Sequence, residues 1–68
     1  MERYKDYLID AKALGKDGHW EPRFAIYNAD GRPTEVLRYS RLLTHAKTES
    51  EALEMAVAAG KSRINEEM

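Results

Sequence analysis

The hydrophobic period of this chain changes once, at Thr48, and that change constrains the fold more than any other feature of the sequence. From Glu49 to about Glu66, Leu53, Ala56, Val57, Gly60 and Ile64 follow i, i+3, i+4, i+7 and i+11, the spacing of a one-sided helix. "TESE" at 48–51 opens it: Thr48 stands at the N-cap with Glu51 three residues on, a capping-box pattern. Glu49, Glu51 and Glu54 lie toward its positive end and Lys61 and Arg63 nearer its negative end, as the helix dipole prefers. Gly60 inside the helix costs about 1 kcal/mol relative to alanine, so its expected return is close approach to a sheet.

Upstream of that point the leading period is two. Residues 4–14, "YKDYLIDAKAL", place Tyr7, Ile9, Ala11 and Ala13 on one side and Asp6, Leu8, Asp10 and Lys12 on the other. "GKDG" follows, and Gly15 and Gly18 can take the positive φ of a hairpin turn. A second strand then starts at about His19, with Trp20, Phe24 and Ile26 on its core face and Pro22 expected at its frayed start. "NADGRP" supplies the next turn, with Asp30-Gly31 as the turn dipeptide.

The run 34–44 fits both periods. As a helix it would gather Arg38, Arg41 and His45 into one basic stripe; as a strand it separates Arg38 from Arg41. The turn before it and the cap just after it favour a third strand. That strand is expected to put Leu37 and Tyr39 in the core, Arg38 on the open face and Arg41 on the helix side. The expectation is therefore an α+β domain over residues 1–68, a three-stranded antiparallel meander with one C-terminal helix on one face, or βββα.

A chain of 68 residues buries only roughly 60% of the surface its unfolded form exposes, which leaves little room for an enclosed active site. Hydrophobic residues at 43% and charged residues at 34% place it among chains that fold. It has no cysteine, so disulfides, thiolate metal sites and thiol nucleophiles are excluded. No signal-like leader and no run of about 18 apolar residues is visible, and a cytoplasmic protein without membrane association is expected.

His19 and His45 lack metal-ligand spacing, and Ser40 has no nucleophile elbow around it. Asp6, Asp10, Glu51, Glu54 and Glu66 read as solvated carboxylates, and "GKDG" is not a phosphate loop. The sequence thus points to no catalytic residue, no metal and no cofactor, and to a protein that is not an enzyme.

One helix leaves the other sheet face open. The residues expected there are Tyr4, Leu8, Arg23, Ala25, Tyr27, Arg38, Ser40 and Leu42, the aromatic, arginine and aliphatic mixture of interaction surfaces. The first reading is a protein-interaction module whose partner is a protein or a second copy. The alternative is nucleic-acid binding through Arg23, Tyr27, Arg38 and Lys12 on the same face. Net charge works against it. The total is −1, with nine basic against seven acidic residues over 1–48 and two against five over 49–68.

Lys47, Thr48, Glu51 and Ala52 form a K-T-x-x-E-A helix start that resembles small uncharacterised bacterial βββα domains, and the resemblance implies the fold and no activity. The T-x-x-E-A-L start, completed by Leu53, is similar to antitoxin domains of the HicB type, without their appended DNA-binding segment. Double-stranded RNA-binding domains share the strand-strand-strand-helix order, but they carry lysines where this chain has Glu49, Ser50 and Glu51.

Overall fold

A computed structural model describes residues 1–29, 35–42 and 44–67, and the side chains of all of these except 35–38, 41 and 67. The chain is α+β, with an antiparallel sheet and one C-terminal helix. Among the described residues the sheet has four strands where the sequence suggested three. They are β1 (Glu2–Tyr4), β2 (Tyr7–Lys16), β3 (His19–Asn28) and β4 (Glu35–Arg41), and they lie side by side in chain order. The helix, α1, spans Glu49–Glu67.

The additional strand comes from a reversal inside the first alternating run. Tyr4 pairs with Tyr7, so Lys5 and Asp6 alone make the turn, and Lys5 takes a φ of 55°. A left-handed conformation costs a residue with a Cβ roughly 1–2 kcal/mol, which is why glycine usually marks such a turn. The next hairpin follows the rule. Lys16 pairs with His19, and Asp17 and Gly18 between them have φ of 43° and 82°, the two positive values of a type I′ turn. Gly15, with φ of 140°, is required for another reason: a Cβ there would collide with the carbonyl oxygen of His19.

Pro22 stands inside β3, opposite Ala13, rather than at a frayed start. Its carbonyl points toward the β4 side, where it accepts from the N–H of Leu42 at 3.3 Å. The two backbone groups of a strand residue point the same way, so the N–H that proline lacks would also face that side, just past the end of β4. No bond between β2 and β3 is lost. One step earlier, Trp20 and Ala46 exchange two backbone bonds of 2.9 and 2.8 Å and fasten the segment before the helix to the same edge of β3.

The core lies between α1 and the central strands. Ile9 is paired with Ile26 and Ala11 with Phe24, and the helix lays Ala56 and Ile64 on them. Ala52, Ala56, Gly60 and Ile64 form its buried line, with the smallest side chains in the middle. A Cβ at Gly60 would come within 2.8 Å of Ile9 Cγ2, so the glycine does permit close approach. Thr48 caps the helix, its Oγ1 accepting from the N–H of Glu51 at 3.1 Å. No helix among the described residues is long and apolar enough to cross a membrane.

Within the 34–44 run, Glu35–Arg41 is a strand, paired antiparallel to β3. The Asp30-Gly31 turn, Pro33 and Leu43 lie outside the described residues, as do the side chains of Leu37, Arg38 and Arg41.

Candidate functional site

Each strand sends alternate side chains away from the helix, and the register identifies them. Leu8 is opposite Tyr27, Asp10 opposite Ala25, Lys12 opposite Arg23 and Leu14 opposite Glu21. These pairs form the open face over β2 and β3.

The centre of that face is a polar bridge. Tyr39 of β4 donates from its phenol to the Asp10 carboxylate on β2, two strands away, and the Lys12 ammonium stands 4.7 Å from the Tyr39 ring centroid. Two strand spacings are roughly 9.5 Å, so the tyrosine can reach only by lying across β3. β3 offers Ala25 at that point. It is 0% exposed although it lies on the face away from the helix, and the small side chain is what lets the ring pass over it.

Beside the bridge is an ion pair. Arg23 donates from Nε at 3.0 Å and Nη2 at 2.8 Å to one oxygen of Glu21, and the Glu21 side chain is 13% exposed. Of the described cations of this face, Lys12 and Arg23 are engaged within the sheet, while Arg3 of β1, opposite Leu8, is exposed and donates from Nε to the Lys5 carbonyl at 3.4 Å. Among the apolar residues Leu14 is 44% exposed and Leu8 is half-buried. Over β2 and β3 the arrangement is a surface of aliphatic and aromatic groups in which Asp10, Lys12, Glu21 and Arg23 are engaged by their neighbours.

No family model, curated protein or solved structure matches the chain. The site is therefore described by its own geometry alone.

The residues expected on the open face divide accordingly. Leu8, Arg23 and Tyr27 come together there with Ala25. Tyr4 and Leu42 do not: both pack against the helix-side core. Ser40 pairs with Phe24, a core residue, and so belongs to the helix side. Conversely Tyr39, expected in the core, is the centre of the open face. The cause is register. Arg23 pairs with Arg41 and Phe24 with Ser40, but Ile26 pairs with Leu37 and Tyr27 with Glu35, so the ladder slips twice within β4. Alternation along 34–44 allowed two phases, and the phase that puts Ser40 and Leu42 inward holds at this end of the strand.

His19 and His45 are exposed, and among the described residues no three His, Asp or Glu side chains gather as metal ligands do. The residues that sequence reasoning missed are Tyr39 and Asp10. The signal for them was the phase of Leu42, an aliphatic at a strand end that had to be buried somewhere.

Proposed function

We propose that this chain is a non-enzymatic protein-interaction module that docks a protein partner on the open face of its sheet. The observation that carries the reading is the combination found at Ala25, Asp10 and Tyr39: a sheet face without a helix over it whose central charges, Asp10, Lys12, Glu21 and Arg23, are engaged by their neighbours. Interfaces are depleted in bare charge at their centres and enriched in aromatic groups. A face on which Lys12 and Arg23 are held by their neighbours can be desolvated at lower cost than one with free cations. Leu8, Tyr27 and Leu14 supply its apolar part, with a protein partner or a second copy as occupant.

Nucleic-acid binding through Arg23, Tyr27, Arg38 and Lys12 gains no support from this geometry. Arg23 would have to leave Glu21 to meet a phosphate, and the net charge of −1 gives little counterion release.

The test is a photo-crosslinking amino acid placed at Leu8 and, for comparison, at the exposed helix residue Ser62, with irradiation in the cells of origin. A discrete adduct at position 8, absent at position 62 and lost when Leu14→Glu is added, supports the reading. A position 8 that yields no adduct, or the same adducts as position 62, refutes it. Fluorescence anisotropy with labelled duplex and single-stranded DNA and RNA at low salt addresses the alternative.

A further inference from the structure

The helix side of the molecule carries a second surface, separate from the open face. α1 packs on β2 and β3. A helix is roughly 10–12 Å wide and strands lie about 4.8 Å apart, so one helix covers two strands; Tyr4 at the end of β1 packs on the core and donates to Asn65 of α1, while the strip over Glu2 is left uncovered. An open groove of about 340 Å³ lies there, lined by Leu53, Val57 and Ala58 with Glu54, Lys61 and Glu2 at its margins. Glu2 reaches up from β1 to Lys61 at 2.8 Å, and both side chains remain close to half exposed. Glu54 is exposed and, among the described residues, has no ion-pair partner.

The order of these residues along the helix is self-complementary. In two antiparallel helices related by a two-fold axis, residues whose numbers share one sum meet. With the axis between Val57 and Ala58, each Val57 meets Ala58 of the second copy, large against small. The same axis brings each Glu54 to Lys61 of the second copy. Both charged positions stand on the stripe that faces outward from the groove, seven residues apart. An ammonium has three donors, so Lys61 can hold Glu2 of its own chain and Glu54 of the other at once. Ala58, exposed and without bulk, allows the interaxial distance of roughly 8–10 Å at which helices pack.

We infer that this groove takes a second copy of the chain, helix against antiparallel helix, with two Glu54–Lys61 pairs closing the interface. The open face stays free in such a dimer, so this inference stands apart from the reading of that face.

Charge reversal tests it. Sedimentation equilibrium at low salt, up to submillimolar concentration, is expected to show a dimer for the unaltered protein that weakens as salt is added. Glu54→Lys alone and Lys61→Glu alone each turn both pairs into like charges, and each is expected to be monomeric. The double variant restores two opposite pairs and is expected to dimerise again. An equimolar mixture of the two single variants is expected to give a mixed dimer. Far-UV circular dichroism of each variant checks that its helix is intact. A monomer for the unaltered protein at every concentration overturns the inference, as does a dimer indifferent to Glu54→Lys, or a double variant that stays monomeric although folded. Leu8→Glu on the open face is expected to leave this dimer unchanged, and loss of the dimer in that variant places self-association on the sheet instead.

Discussion

Gly60→Ala sets two known effects against each other at one atom. In an exposed helix the substitution stabilises by about 1 kcal/mol, because alanine surrenders less backbone freedom than glycine. Here the new methyl would stand 2.8 Å from Ile9 Cγ2, 3.1 Å from Cδ1 and 3.2 Å from Cγ1. Ile9 is 1% exposed and β-branched, so its χ1 is stiff and it has no space into which to turn. The helix must therefore rise from the sheet or Ile9 must leave its rotamer, at about 1–3 kcal/mol. The net expectation is a loss of roughly 0–2 kcal/mol, and each kcal/mol lowers the melting temperature of a domain this small by about 4–8 °C.

Because the two terms partly cancel, the single variant is less informative than a cycle. Ile9→Ala alone costs about 2–5 kcal/mol through the cavity it leaves. In the Gly60→Ala background the new methyl enters that cavity instead of meeting a side chain. The double variant should therefore be more stable than the sum of the singles by more than about 1 kcal/mol. Urea unfolding followed by circular dichroism and by Trp20 fluorescence measures all four proteins. A gain of about 1 kcal/mol in Gly60→Ala, together with a coupling below about 0.3 kcal/mol, would refute the contact as the reason for the glycine.

Thr48→Ala removes the acceptor of the Glu51 N–H and should cost about 1 kcal/mol in urea unfolding, while Thr48→Ser should cost little. Tyr39→Phe removes the bridge to Asp10 and should cost about 1 kcal/mol, with amide exchange rising first along β4; unchanged exchange there means that the bridge does not hold the strand. The hydrogen bond to the Glu2 carboxylate, and then that group's charge, raise the Lys61 pKa above the ordinary lysine value. The pair's contribution to stability is therefore complete below the ordinary value and lost as pH rises through the raised one. Carbon-13 titration of the Lys61 side chain should show its midpoint falling in Glu2→Gln, and a midpoint that does not move sinks the assignment.

The elements with one strong local signal were legible in the sequence. The helix announced itself through the cap at Thr48 and the change of period, and the β2–β3 hairpin through Asp17-Gly18. β1 was hidden because Lys5 takes a positive φ without the glycine that would mark it, and Tyr4 fits the alternation of the strand that follows. The open face was half legible. Leu8, Arg23 and Tyr27 follow from the phase of β2 and β3, which the large residues Ile9, Phe24 and Ile26 fix. β4 has no such anchor: Leu37 and Tyr39 favour one phase and Leu42 the other, and the ladder slips twice, with Tyr39 ending on the open face. The phase of Leu42 was the one signal for Tyr39 on the open face, and Ala25 is the small residue that makes room for it.

The neighbour-by-neighbour strand order has a consequence for how fast the chain folds. Each strand pairs with the next in sequence, so the sheet needs no long crossover and its hairpins close short loops, whereas the contacts of α1 with β2 and β3 span much of the chain. The type I′ turn at Asp17-Gly18 joins the two longest strands, and hairpins of this kind close in about 1–10 μs. Docking of α1 has to wait, because the surface under Gly60 exists only after β2 and β3 have paired. Changes at the turn should accordingly slow folding, whereas changes under the helix should mainly speed unfolding. The close fit of Gly60 on Ile9 is then a determinant of the native lifetime rather than of the time taken to reach the fold.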